Sequence, residues 1–86
     1  MTKRRAEALR AALRSLLREI RAEAGLSQVA LAKRMGRPQS FVSKYETGAR
    51  QLDIVELFEV CTACGVTLSK FVARLERADE ARIVAL

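Results

Sequence analysis

The chain has 86 residues, which suffice for one small domain and are too few for a second. Half of the residues are apolar, 5% are aromatic, and Leu, Ala and Val dominate the apolar set, so the predicted fold class is all-α. Sixteen Lys and Arg against ten Asp and Glu give a net charge of +6, and the absence of His excludes imidazole general-base catalysis and His-ligated metal sites.

The positive charge is concentrated in the first part of the chain. Residues 1–50 carry twelve basic and four acidic side chains, whereas residues 51–86 carry four basic and six acidic ones. Such a distribution fits binding to a polyanion, which could be nucleic acid, an anionic membrane surface or an acidic protein. It also fits plain solubility, so charge alone leaves these alternatives open.

The first predicted helix spans about residues 3–24. Its apolar positions recur at helical spacing and are Leu9, Leu13, Leu16 and Ile20. Gly25 then closes the pattern. Arginines at helical spacing occupy a neighbouring face, and we interpret Arg10 and Arg14 as part of an ordinary solvated face.

The basic opening "MTKRRAEALRAALRSLL" has the appearance of a targeting peptide. However, Arg10, Arg14 and Arg18 interrupt any hydrophobic region, and no run approaches the roughly 18 apolar residues of a membrane span. We therefore expect this segment to be part of the fold, with no membrane contact, and the protein to be cytoplasmic.

A second and a third helix are predicted with a very short connection between them. Ser27 stands at an N-cap position for the second helix, and Gly36 ends it. After Arg37, Pro38 suits the first turn of a helix because its missing N–H has no partner there, so the third helix is predicted over about residues 38–47. Two short helices joined by a tight turn that contains Gly form a helix-turn-helix.

The third predicted helix turns Val42 and Tyr45 inward and leaves polar residues on its other faces. These polar residues are Gln39, Ser40, Ser43 and Lys44. In a DNA major groove, Gln can pair with two atoms of adenine, Lys can donate to guanine, and Ser can bond to several bases. An ordinary solvated helix face would carry the same residue types, so this pattern alone does not establish DNA binding.

Two further helices are predicted in the acidic part of the chain. Asp53 can cap a fourth helix of about residues 53–64, and Thr67 can cap a fifth. The core residues expected from the fourth helix are Val55, Leu57, Phe58 and Cys61. Those expected from the fifth are Leu68, Phe71, Val72 and Leu75.

Cys61 and Cys64 form a C-x-x-C pattern. A zinc site needs about four ligands, and a redox pair usually accompanies a βαβ pattern, which this sequence lacks. Because both residues lie among apolar neighbours, we expect buried core thiols in a reducing compartment. The sequence therefore predicts no metal, no cofactor and no enzymatic activity.

Four short motifs follow one another within about residues 16–75: R-x-x-x-G-L-S-Q from Arg21 to Gln28, L-A-x-x-x-G from Leu31 to Gly36, S-x-Y-E-x-G-x-R from Ser43 to Arg50, and G-V-T-L from Gly65 to Leu68. In this order and spacing they resemble the Cro/C1-type (XRE-like) helix-turn-helix DNA-binding transcriptional regulators. The resemblance implies a compact five-helix bundle of the lambda-repressor-like kind. It also implies that the third helix, here Gln39 to Thr47, enters the major groove of double-stranded DNA.

DNA-binding roles are predicted at seven positions: Gln28, Arg37, Gln39, Ser40, Ser43, Lys44 and Arg50. The resemblance implies all of them except Ser43, which is included for its place on the polar face of the third helix. Gln39 and Ser40 correspond to the leading base readers, and Lys44 to a base or phosphate contact one turn later. Gln28, Arg37 and Arg50 correspond to phosphate contacts. Two other family positions, Arg21 and Glu46, are expected to form a structural ion pair, and Ala30 stands where the family often has the acidic residue of a capping box.

We predict one domain over residues 1–86, with a basic N-terminal helix extension of about residues 1–10 and a C-terminal helix extension of about residues 76–86. Apolar residues continue along this C-terminal extension and are Leu75, Ala78, Ile83 and Leu86. They are interpreted as a homodimer contact, with a frayed tail as the alternative.

The predicted function is sequence-specific binding of double-stranded DNA as a transcriptional regulator. Its simplest form is a homodimeric repressor that reads an inverted-repeat operator through the third helix. The alternative is a protein-interaction module of the same fold, such as an antitoxin that binds a toxin or a coactivator adaptor.

Overall fold

The computed structural model describes the backbone of residues 1–85 and the side chains of residues 1–79. The described backbone forms five helices and no strand: α1 (Lys3–Glu23), α2 (Gln28–Met35), α3 (Gln39–Thr47), α4 (Ile54–Ala63) and α5 (Leu68–Ala85). The all-α class and the five-helix arrangement are therefore confirmed. None of the helices within the described range combines the length and apolar character needed to cross a bilayer.

Short polar side chains begin four of the helices, and before α5 Thr67 Oγ1 accepts from the Lys70 N–H at 3.2 Å, as predicted. Thr2 Oγ1 accepts from the Arg5 N–H at 3.1 Å before α1, and Ser27 Oγ accepts from the Ala30 N–H at 3.0 Å before α2. Before α4, Asp53 forms a complete capping box with Glu56. Satisfying these free N–H groups is the reason that such residues favour helix starts. Ala30 has no polar side chain that could accept a hydrogen bond from the Ser27 N–H, so only half of a capping box forms at α2.

The helices enclose one core around α1. α2 packs on α3, α1 packs on both α3 and α5, and α4 packs on α2 and α5. The buried core residues are Leu16, Leu17, Ile20, Leu31, Ala32, Phe41, Val42, Tyr45, Val60, Cys61, Cys64 and Phe71. This packing buries the inner face of α3 and leaves its outer face to solvent.

The predicted core face of α4 is wrong at two positions. The exposed fraction of Val55 is 63% and that of Phe58 is 56%, whereas Cys61 is buried and Leu57 packs against the core. At 100° per residue, positions 57, 60, 61 and 64 share one face of a helix, and positions 55 and 58 lie on another. Because the apolar residues of this segment occur on more than one face, the sequence did not distinguish the two faces.

The first part of α5 is tied to α1 of the same chain. The Arg74 guanidinium donates to both carboxylate oxygens of Glu23 at 2.8 and 2.9 Å, and Arg5 Nη2 donates to Asp79 Oδ2 at 2.8 Å. Leu75, which was expected both in the core and at a dimer contact, packs against the core of its own chain. Of the other expected contact residues, Ala78 is half-buried, and the side chains of Ile83 and Leu86 lie outside the described residues.

Candidate nucleic-acid interface

The connection between α2 and α3 is short because Gly36 reverses the chain at once. Gly36 has φ of +65°, a conformation that L side chains rarely adopt, and the Arg37 N–H donates to the Ala32 carbonyl at 3.0 Å. Pro38 lies just before α3 as its N-cap with extended backbone, one position earlier than a first-turn proline. These features place α3 across α2 as a helix-turn-helix.

The outer face of α3 carries most of the predicted base-reading residues. Gln39, Ser40 and Lys44 are exposed, and Ser43 is half-buried. Val42 and Tyr45 are fully buried on the inner face. The ammonium group of Lys44 has no hydrogen-bond or ion-pair partner among the described residues, so it is available to a ligand.

The expected pair between Arg21 and Glu46 is confirmed. Arg21 Nε donates to Glu46 Oε2 at 2.7 Å, and Arg21 Nη2 donates to Glu46 Oε1 at 3.0 Å. Arg21 Nη1 also donates to the Leu26 carbonyl at 3.0 Å, and Arg18 Nη1 donates to the Glu46 carbonyl at 2.8 Å. The exposed fraction of Glu46 is only 2%, and the hydrogen bond to Glu46 raises the pKa of Arg21. The pair fixes the end of α3 against α1.

A chain of hydrogen bonds runs from this ion pair to the first residue of α3. Gln28 Nε2 donates to Glu46 Oε1 at 3.0 Å, and Gln28 Oε1 accepts from Gln39 Nε2 at 3.0 Å. The side chain of Gln28, predicted to contact phosphate, thus supports Gln39 in the free protein. Within the described side chains, Gln39 keeps its carbonyl oxygen and one N–H, the two groups that adenine requires. This supporting role of Gln28 was not predicted from the sequence.

Arg37 lies in the turn before α3, and Arg50 lies in the loop between α3 and α4. Both arginines bind acidic residues of α4. Arg50 Nη2 donates to Glu56 Oε2 at 2.6 Å, while Arg37 lies 3.8 Å from that oxygen and 3.3 Å from Glu59 Oε2. The two guanidinium carbons lie 4.3 and 4.7 Å from the centroid of the Phe41 ring, within the range of cation–π attraction. The arginines are thereby held in place before any ligand binds.

These contacts perturb Glu56 strongly. The hydrogen bond from Arg50 and the backbone hydrogen bond from Asp53 lower the pKa of Glu56 to about 2. The same interaction raises the pKa of Arg50. A phosphate at Arg50 would therefore share the guanidinium donors with Glu56, and a phosphate at Arg37 would share them with Glu59. The sequence contained one signal of this role, since Glu56 lies three residues after Asp53 in the capping-box position.

The two cysteines form no part of this surface. Cys61 and Cys64 are free thiols and are buried, as predicted, and burial raises the pKa of Cys61 to about 11. Among the residues that the structure describes, no three Cys, Asp or Glu side chains are grouped so that they could hold a metal ion.

Comparison with known proteins places this geometry in a family. A helix-turn-helix family model matches residues 17–71, which include α2 and α3. The comparison with curated proteins found no match.

Several solved structures share the fold. An XRE-family like protein from Pseudomonas syringae pv. tomato strain DC3000 superposes with a TM-score of 0.80 at 42% identity, over 85% of this chain and 89% of that one. The clp gene regulator ClgR from Corynebacterium glutamicum has a TM-score of 0.76 at 25% identity, over 90% of this chain and 82% of that one. The restriction-modification controller protein C.Esp1396I has a TM-score of 0.74 at 25% identity, over 80% of this chain and 88% of that one. The chain belongs to the XRE-type helix-turn-helix family of DNA-binding transcriptional regulators.

Proposed function

We propose that the protein is a homodimeric repressor, without catalytic activity, that reads an inverted-repeat operator in double-stranded DNA by inserting α3 into the major groove. The observation that carries the proposal is the hydrogen bond between Gln28 and Gln39. It completes a chain of hydrogen bonds that runs from the buried Arg21–Glu46 pair to an exposed side chain at the start of α3. A side chain held in this way loses little further conformational freedom when it contacts a base. An ordinary solvated glutamine would need no such support.

Within this proposal, the exposed face of α3 contacts bases. Gln39 pairs with adenine through its free oxygen and N–H, Ser40 contacts the neighbouring base, and Lys44 contacts guanine or a phosphate one turn later. Ser43 is half-buried and contributes at the edge of the surface.

The phosphate contacts lie on either side of α3. A phosphate at Gln28 would meet backbone N–H groups at the N-terminus of α2, which have no partner within the helix. Arg37 and Arg50 would contact phosphates with the N–H groups that their acidic partners leave free, since an arginine has five such donors. These contacts fix the register of α3 and carry no sequence information.

Dimerisation is proposed because one α3 reads only a few base pairs. Two copies related by a two-fold axis would place their recognition helices in successive major grooves, about 34 Å or ten base pairs apart. Since the first part of α5 is tied to α1 of its own chain, we assign the dimer contact to residues 80–86. Occupation of such an operator would block RNA polymerase.

Selection of bound oligonucleotides from a random pool tests this function. The proposal predicts an enriched inverted repeat, and the intact protein should bind it at least about a thousandfold more tightly than mixed-sequence DNA at physiological salt. Recovery of no common sequence, with equal binding to all DNA, would contradict it.

One observation favours a second candidate, a protein-interaction module such as an antitoxin or a coactivator adaptor. Ile54, Val55 and Phe58 form an exposed apolar patch on α4, with exposed fractions of 64%, 63% and 56%. Exposed apolar groups that cluster often mark contacts with another protein. Under this alternative, Phe58→Ser should abolish the biological effect while the affinity for DNA stays unchanged.

A further inference from the structure

A cavity of about 240 Å³ lies between the N-terminal half of α1 and the loop that joins α3 to α4. Leu13, Leu17 and Leu52 give it an apolar wall, and the other lining residues include three arginines, Tyr45, Glu7 and Gln51. It lies on a different part of the molecule from the exposed base-reading face of α3. Its lining has two features that an ordinary surface hollow lacks, an unpaired cation and an unpartnered buried hydroxyl.

The unpaired cation is Arg14. Two other arginines line the cavity, and each has a carboxylate partner: Arg10 Nη1 donates to Glu7 Oε1 at 3.0 Å, and Arg50 Nη2 donates to Glu56 Oε2 at 2.6 Å. The guanidinium of Arg14 has no hydrogen-bond or ion-pair partner among the described residues. The cavity therefore carries one uncompensated positive charge, which favours an anion.

The Arg14 side chain lies across the end of α3. A Cβ built on Gly48 would be 3.3 Å from the guanidinium carbon of Arg14, so the two groups are in close contact. A side chain at Gly48 would displace the guanidinium from the cavity. The arrangement places the cation of α1 directly over the loop that follows the recognition helix.

The unpartnered hydroxyl belongs to Tyr45. Its side chain has an exposed fraction of 2%, and the hydroxyl oxygen has no hydrogen-bond partner within the described part of the chain. Burying a hydroxyl without a partner is energetically costly, so such groups are rare in folded proteins. Burial also raises the pKa of Tyr45 well above its usual value, which keeps the hydroxyl protonated and able to donate.

We propose that this cavity binds a small organic carboxylate, whose anionic end accepts hydrogen bonds from Arg14 and from the hydroxyl of Tyr45, and whose apolar body lies against the three leucines. Because the hydroxyl is shielded from solvent in the free protein, binding requires the side chains that line the cavity to shift. The cavity is smaller than the roughly 300–1,000 Å³ of sites for drug-sized ligands, so the ligand is about the size of benzoate. Binding requires no DNA, and its failure would leave the proposed function untouched.

Titration of the free, full-length ¹⁵N-labelled protein with benzoate tests the site by NMR. The expected result is saturable shifts of the amide signals of Leu13 and Leu52, with much weaker effects from benzyl alcohol, which lacks the charge, and from acetate, which lacks the apolar body. Equal binding of benzoate and benzyl alcohol would overturn the proposal. Shifts confined to other parts of the protein would overturn it as well.

Two variants separate the proposed partners. Arg14→Gln should raise the dissociation constant of benzoate at least about tenfold, the effect of one charged hydrogen bond. Tyr45→Phe should raise it several-fold without lowering the melting temperature, because it removes a hydroxyl that lacks a partner in the free protein. Arg4→Gln, an exposed arginine of α1 outside the cavity, is the matched control and should leave binding unchanged. Unaltered binding by Arg14→Gln would contradict the assignment.

A DNA phosphate is the other anion that Arg14 could meet. If Arg14→Gln makes the salt dependence of binding to mixed-sequence DNA shallower while benzoate produces no shifts, then Arg14 is a contact to the DNA backbone and the carboxylate site does not exist. The carboxylate proposal predicts that benzoate produces shifts and that Arg14→Gln leaves the salt dependence of DNA binding unchanged.

Discussion

Arg21 and Glu46 form two parallel hydrogen bonds, of 2.7 and 3.0 Å, between the last turn of α1 and the last turn of α3. The Glu46 side chain has an exposed fraction of 1%, so almost all of its contact with water has been replaced by contact with Arg21 and its neighbours. Breaking such a pair leaves one charge buried without its partner, which is strongly unfavourable. The pair therefore sets the position of α3 relative to α1.

The first prediction concerns the stability that depends on this pair. Arg21→Ala and Glu46→Ala should each lower the free energy of unfolding by about 3 kcal/mol, because each strands the remaining charge. The double variant should lose clearly less than the sum of the two. Urea unfolding of all three proteins measures this coupling.

Arg74→Ala is the control for that cycle. It removes a half-buried arginine at the surface that also donates two hydrogen bonds to one carboxylate, and surface ion pairs contribute at most about 1 kcal/mol. Strictly additive losses at Arg21 and Glu46 would show that the two side chains do not interact in solution.

A second prediction follows from the depressed pKa of Glu56. The pKa of this carboxyl group falls from its ordinary value of 4.5 to about 2 in the folded protein, chiefly through the hydrogen bond from Arg50, so the folded state prefers the ionised carboxylate. The resulting stabilisation is complete above pH 4.5 and is lost as the pH falls from 4.5 through about 2.

Melting temperatures of the wild type and of Glu56→Gln, measured between about pH 7 and pH 2, test this. The wild type should lose more of its stability across the acid range than the variant does. Glu59→Gln, which alters a more exposed neighbour, is the control and should follow the wild type. Identical acid profiles for the wild type and Glu56→Gln would contradict the linkage.

A third prediction concerns phosphate contacts. Because the Glu56 carboxylate occupies a donor of Arg50 and lies 3.8 Å from the Arg37 guanidinium, Glu56→Gln should strengthen binding to mixed-sequence DNA and make its salt dependence steeper. Arg37→Ala and Arg50→Ala should instead make the slope of log K against log salt shallower by about one unit each.

Fluorescence anisotropy at several salt concentrations measures the slopes of the wild type, of these three variants and of a control. Arg77→Ala, an exposed arginine of α5, serves as the control for a change of net charge alone. Equal effects of Arg77→Ala and Arg50→Ala would assign the result to net charge and would remove Arg50 from the interface.

Much of the fold could be predicted because its local signals agree with its packing. Capping residues at Ser27 and Asp53 and the glycine at Gly36 mark helix ends that the structure reproduces within about a residue. The fourth helix was harder because its apolar residues cover more than one face. Only its contacts with α2 and α5 decide that Phe58 lies outward and Val60 inward.

The candidate interface was predictable at the level of residue types and less so at the level of contacts. The polar outer face of α3 follows from helical periodicity once Val42 and Tyr45 are placed inward. The pairing of Arg37 with Glu59 joins residues 22 positions apart, and no local pattern indicates it. The supporting role of Gln28 likewise depends on the packing of α2 against α3, which sequence periodicity does not specify.

The fourth prediction locates the dimer contact. Truncation after Asp79 keeps Leu75 and the ion pair between Arg5 and Asp79, so the domain should still melt cooperatively. We expect the shortened protein to be a monomer and to lose far more affinity for the full inverted repeat than for an isolated half-site. Sedimentation at tens of micromolar gives the oligomeric state.

Phe58→Ser is the companion variant for that experiment. It alters the other exposed apolar surface, and under the proposed arrangement it remains a dimer. If the truncated protein still dimerises and Phe58→Ser becomes a monomer, the dimer contact lies on α4 and the assignment to residues 80–86 is wrong.

The central claim, that α3 reads bases, is tested most directly by the ratio of affinities for the selected operator and for mixed-sequence DNA. Gln39→Ala and Lys44→Ala should each reduce the difference between the two binding free energies by about 1 to 3 kcal/mol, because a lost base contact weakens specific binding and leaves non-specific binding almost unchanged. Ser69→Ala, an exposed polar residue of α5, should leave the ratio at its wild-type value. A ratio unchanged by both α3 variants, or equal losses on the two DNAs, would contradict the account.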